Sequence, residues 1–144
     1  MSRRLGYVLL LSVVINLMCI ASVFASHQQL TDDEIRKSVV GTWMVDNRLT
    51  NGVAIKGDVT ILSNGSFVSK TTLVFGDKKQ KDGYEGTWQV ENGYLIETIT
   101  NSYTKLHLVG KITRDKIIHV DDFAISYQTE NGKTIVRKRK VAGQ

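Results

Sequence analysis

The chain has 144 residues, 19 of them basic and 14 acidic, no proline, and a single cysteine at position 19. Residues 26–144 are enough for one domain and too few for two. With Cys19 placed in the leader described next, they hold no disulfide, thiolate nucleophile or cysteine metal ligand.

Arg3 and Arg4 form a positive n-region, and Leu5 to Ala25 carries no charge. Val23 and Ala25 sit at the small-residue positions a signal peptidase requires, so an export signal cut after Ala25 is expected. The mature chain would then be periplasmic or secreted. An uncleaved anchor is the alternative, because the uncharged run is about as long as a membrane-spanning helix. A lipidated Cys19 is disfavoured by the bulk of Met18. Setting Arg3 and Arg4 aside leaves 17 basic residues against 14 acidic ones, a net charge of +3.

A short helix is predicted next. Thr31 is its N-cap, Glu34 completes a capping box, and Leu30 and Ile35 occupy the flanking staple positions. Asp32 and Asp33 lie in the first turn, where the helix dipole favours negative charge. Helical chemistry is expected to end near Ser38, ahead of Val39-Val40-Gly41.

After Gly41 the period changes to two. Gly41-Thr42-Trp43-Met44-Val45-Asp46-Asn47 returns as Gly86-Thr87-Trp88-Gln89-Val90-Glu91-Asn92, holding the only two tryptophans. Val53, Ile55, Gly57, Val59 and Ile61 share one face of a strand. Phe67, Ser69, Thr71, Leu73 and Phe75 share one face of the next. Gly76 to Gly83 reads as a charged loop. Further strands are predicted over Tyr94–Thr100, Tyr103–Val109, Lys116–Val120, Phe123–Gln128 and Lys133–Lys140. Hairpin turns fall at Asn64-Gly65, Asn92-Gly93 and Asn131-Gly132. The expectation is an all-β antiparallel meander of about eight or nine strands. Closure into a barrel would remove its two open edges, with a two-sheet sandwich as the alternative.

The helix, the Gly41-Thr42-Trp43 motif and the terminal arginines together resemble the calycins: lipocalins, fatty-acid-binding proteins and avidin-like barrels. More narrowly, the chain is similar to small secreted bacterial lipocalin-like domains. The resemblance runs over about 30–140. It implies that Gly41 and Trp43 open the barrel; Trp88, which lacks a preceding helix and a basic partner strand, is expected to anchor the middle of the meander. It also implies that Arg137 or Arg139 on the last strand packs over Trp43. A guanidinium on an indole face would latch the last strand to the first.

No residue pattern supports catalysis. There is no Gly-x-Ser-x-Gly elbow, and Asp121 and Asp122 would point to opposite faces of a strand. His27, His107 and His119 lack metal-ligand spacing, so neither metal nor cofactor is expected. Tyr103, Lys105 and His107 would share a strand face, but without a dense basic groove a nucleic-acid partner is not expected. Phe67, Ser69, Thr71 and Leu73, with Tyr94 and Tyr127, would give an interior of apolar groups and a few hydroxyls. That combination fits a small apolar or amphipathic ligand bound without catalysis. The alternative is a filled barrel acting as an interaction or inhibitor module on a partner protein of the cell envelope. Membrane contact is expected only through an uncleaved leader.

Overall fold

The computed structural model describes residues 30–141; the expected leader, with Cys19 and His27, lies outside the described residues. One helix, α1 (Asp32–Val39), precedes eight strands: β1 (Gly41–Arg48), β2 (Ala54–Ile61), β3 (Ser66–Phe75) and β4 (Lys78–Glu91), then β5 (Tyr94–Ser102), β6 (Ile112–Val120), β7 (Ala124–Gln128) and β8 (Thr134–Lys138). Each strand pairs antiparallel with the next in sequence, giving one eight-stranded sheet. That sheet curls into a nearly closed barrel, so the sandwich alternative is set aside.

The capping box forms as its residues dictate. The Glu34 N–H donates to Thr31 Oγ1 at 3.3 Å, and the Thr31 N–H donates to Glu34 Oε2 at 2.8 Å. Ile35 and Val39 are buried against the base of the barrel. Asp32 accepts the N–H groups of Asn92 and Gly93 at 2.8 and 2.7 Å, which fixes the helix to the β4–β5 turn. Helix α1 is therefore a plug for one end of the barrel.

Three connections are copies of one loop. In Leu49–Val53, Leu62–Ser66 and Thr129–Lys133 the first residue's N–H donates to the last residue's carbonyl, at 2.8, 2.9 and 2.9 Å. Each holds an Asn-Gly pair whose asparagine Oδ1 accepts an N–H two residues on. The glycines Gly52, Gly65 and Gly132 take φ of 84°, 83° and 81°, the left-handed region that closes such a loop. The first of these, Asn51-Gly52, is a fourth turn signal, between β1 and β2. At Asn92-Gly93 both residues have positive φ, 54° and 78°, as a two-residue primed turn requires.

Two sequence expectations are corrected. The charged stretch before Gly83 is not a loop: β3 and β4 meet in a tight turn at Gly76-Asp77, and Lys78 pairs with Phe75. Its polarity reflects position, because Lys78 to Lys81 stand exposed at the far end of the hairpin, clear of the core. Nor does Tyr103–Val109 form a strand. Residues 103–111 make an irregular loop whose exposed Leu106, Leu108 and Val109 mimic strand composition without a partner to pair with.

The core lies toward α1. Trp43, Val59, Ile61, Phe67, Val90, Leu95, Ile125 and Tyr127 alternate inward around it. On β6 the register shifts between Ile117 and His119. That extra residue lets Ile117 and Val120, three positions apart, both face in while Ile118 faces out.

The seam between β8 and β1 is a single antiparallel bridge, Trp43 to Arg139, flanked by the Lys140 N–H donating to the Thr42 carbonyl at 2.8 Å. Lys140 Nζ also meets Asp58 at 2.6 Å. The Arg139 guanidinium lies 4.2 Å from the centre of the Trp43 ring. It donates to the carbonyls of Ser38 and Val40 at 2.7 Å each, while Trp43 Nε1 donates to Val39 O at 2.8 Å. Three consecutive carbonyls at the end of α1, which has no glycine cap, are thus satisfied by side chains from the first strand and the last. The positive guanidinium also meets the negative end of the helix dipole.

Candidate functional site

At the end of the barrel away from α1, the interior opens into a cavity of about 340 Å³. Its deep wall is aromatic: Phe67 on β3 and Tyr84 on β4 meet edge to face, ring centres 5.9 Å apart at 78°. Ile99 and Glu97 on β5 form one side, with Thr113 on β6 directly opposite Glu97 in the strand register. The loop 103–111 supplies the cover through Leu106, His107, Leu108 and Lys111.

Asp82 holds that loop in place. It is buried, and its carboxylate accepts from Thr104 Oγ1 at 2.5 Å and pairs with His107 Nε2 at 2.7 Å. Burial alone would raise this carboxyl's pKa. The hydrogen bonds from Thr104 and His107 and from the Gly83 N–H outweigh it and hold the group below the usual range. The His107 ring then lies over Tyr84, centres 4.3 Å apart. Tyr103 anchors the loop's start, its hydroxyl donating to Glu85 at 2.6 Å. The other end is closed by backbone, Gly110 N–H to Ile99 O at 2.8 Å and Ile99 N–H to Lys111 O at 3.0 Å.

Below the aromatic wall the interior is charged. Burial pushes the carboxyls of Glu97 and Asp115 up, while the positive charge of Arg137 pulls both back. Arg137 itself lies over the Tyr127 ring at 5.2 Å. Burial first, and the charge of Glu97 among the rest, raises the phenols of Tyr84 and Tyr127. Glu97 Oε1 and Arg137 Nε are sealed from solvent without a hydrogen-bond partner. Such groups cost roughly 1–3 kcal/mol each when left unpaired, more when charged.

The expected ligand residues are scattered by this geometry. Phe67 lines the cavity; Ser69, opposite Tyr84, is buried deeper, and Leu73 and half-buried Thr71 follow on the same strand face. Tyr127 faces in, beneath Arg137. Tyr94 does not: it alternates with buried Leu95 and so lies on the outer face, with the Arg114 guanidinium 4.6 Å over its ring. Tyr103, Lys105 and His107 share no strand face, since His107 turns onto Asp82. Of the closure residues, Arg139 and not Arg137 covers Trp43, and the backbone of Gly41 lies against Arg139. Trp88 is buried mid-sheet, donating from Nε1 to Leu62 O at 2.8 Å.

Sequence reasoning missed Tyr84 and Glu97. The signal for Glu97 was available: in Leu95-Ile96-Glu97-Thr98-Ile99 a carboxylate takes the inward phase between two buried residues. Among the described residues, no group of three or more His, Cys, Asp or Glu side chains is gathered as a metal ion would need. None of the described helices is long and apolar enough to cross a membrane. No protein-family profile matches the chain, and no curated protein matches it.

Proposed function

We propose that this protein is an exported, lipocalin-like carrier that binds one small amphipathic ligand in the cavity under the 103–111 loop, without catalysis. One observation carries this reading: a space of about 340 Å³ walled by Phe67, Tyr84, Ile99, Leu106 and Leu108 that also receives a buried, unpartnered carboxyl oxygen. A packed core would place apolar side chains there; a concavity that joins apolar walls to a few polar groups, here Glu97, His107, Lys111 and Thr113, is what small-molecule recognition uses. The volume suits a ligand of roughly a dozen heavy atoms. Thermal-shift and calorimetric screening of single-chain amphiphiles tests it. Binding that Thr113→Trp abolishes, by filling the cavity beside Glu97 while the fold is kept, supports the cavity as the site. Binding that survives Thr113→Trp refutes it.

A second reading, an interaction or inhibitor module of the envelope, draws on the exposed Leu106, Leu108, Val109 and Ile112 beside the mouth. It expects an envelope protein to be captured by the native chain and lost with Leu108→Asp and Val109→Asp together.

A further inference from the structure

We propose that the ligand's polar end is an ammonium group, with Glu97 as its counter-ion; this deepens the carrier reading and rests on it. The first ground is the orphaned oxygen. Glu97 Oε1 is sealed from bulk water, has no protein partner, and belongs to a residue that lines the cavity. When ionised, a carboxylate is an acceptor only, and a cationic donor would both complete this oxygen and offset the burial that favours its neutral form.

The second ground is the local charge balance. Glu97 and Asp115 both feel one guanidinium, that of Arg137, so the set carries one uncompensated negative charge when both carboxylates are ionised. Among the described residues neither carboxylate forms an ion pair with Arg137 within the 4.0 Å limit that defines one. Arg137 Nε is also unpartnered, which by itself would attract an anion, but Arg137 does not line the cavity and lies over Tyr127 instead. Of the basic side chains on the lining, Lys111 is exposed, where water screens it, and His107 is already paired with Asp82. Glu97 is left as the lining group to meet a charged head.

The third ground is the company Glu97 keeps. The Phe67 and Tyr84 rings stand edge to face on the adjoining wall. Aromatic rings are good neighbours for an alkylammonium, whose cation is attracted to their faces and whose methylenes pack on them. A carboxylate head would instead meet the Glu97 charge without water between.

The test compares three ligands of nearly equal shape on the purified protein by calorimetry: decylamine, 1-decanol and decanoate. Decylamine should bind about tenfold or more tighter than decanol, the value of one buried charge-assisted hydrogen bond, and decanoate weakest. Glu97→Gln should lose about that tenfold for decylamine and leave decanol nearly unchanged. The proposal is overturned if decanol or decanoate binds as well as decylamine, or if Glu97→Gln binds decylamine normally. In those cases the carrier reading survives. If none of the three binds, both fall together. Should Glu97→Gln not fold, the ranking on the native chain decides alone.

Discussion

Replacing Arg139 by methionine is the most demanding test of how this barrel is held shut. Methionine keeps the apolar stem and deletes the stacking on Trp43 at 4.2 Å, the 2.7 Å bonds to Ser38 O and Val40 O, and a long, weak 3.4 Å bond to Asp121 O. A hydrogen bond from a charged donor is worth about 1.5–3 kcal/mol when its acceptor is left unpaired. Arg139 is only half-buried, so water can reach part of the vacated site and the low end applies. Stacking at a half-exposed position adds about 0.5–1 kcal/mol. The expected loss is therefore about 3.5–4 kcal/mol, a large part of a typical total of about 5–15. In urea this should lower the midpoint by about 2 M at an unchanged slope. Lys138→Met, one residue away and exposed, should cost no more than about 0.5 kcal/mol. A double-mutant cycle with Trp43→Phe should show coupling above about 0.5 kcal/mol. If Arg139→Met costs no more than Lys138→Met, or the cycle closes without coupling, the seam is not a latch.

Other consequences can be checked separately. Gly41→Ala places a Cβ against Arg139 Nη1 at a φ of 146°, and should cost about 2 kcal/mol or more. The cost should shrink in the Arg139→Met background; an equal cost in both would mean that the backbone alone is strained. Asp121 is held down to about 2 by His119 and then by the N–H groups of Phe123 and Ala124. A depressed carboxyl stabilises the fold above its unfolded pKa and loses that contribution as pH falls through the folded one, here from the ordinary 3.8 toward about 2. Carbon-13 titration should therefore give Asp121 a midpoint of about 2, and a midpoint at 3.8 refutes the turn's electrostatics. Asp82→Asn should free Thr104 and His107 and speed amide exchange at Leu106 to Lys111 by about tenfold, with β1 to β3 unaffected. Unchanged exchange would show that backbone bonds alone hold the loop.

Much of the scaffold was legible because its signals are local. The capping box at Thr31 and Glu34 depends on residues three apart, and the Asn-Gly turns on adjacent ones. Alternation in Val53 to Ile61 and Phe67 to Leu73 gave the inward faces directly. Residues 103–111 misled for a physical reason: alternating Tyr, Lys, Leu and His look like a strand, but strand identity needs a partner edge, which periodicity does not report. The Lys78–Lys81 stretch failed the opposite way, its polarity hiding a paired strand that leaves the core. The site was the least legible part. Its lining comes from β3, β4, β5, β6 and a loop, and no single stretch carries that convergence. Tyr94 and Tyr127 look equivalent in sequence, yet one β-phase separates the outside of the barrel from its interior. Arg137 and Arg139 share a face, and only the position of α1's carbonyls decides which of them reaches Trp43.

The seam also sets an order of events. Every other pairing joins neighbouring strands, so most of the sheet can zip up through loops of a few residues. The bonds from Arg139 to Ser38 and Val40 span 101 and 99 positions. Bringing ends that far together costs about 3 kcal/mol more loop entropy than closing a five-residue turn. Closure must then wait until the hairpins have shortened the path between β1 and β8. A staple that forms after the folding barrier slows opening more than it speeds closing. Arg139 therefore acts chiefly on how long the barrel stays shut.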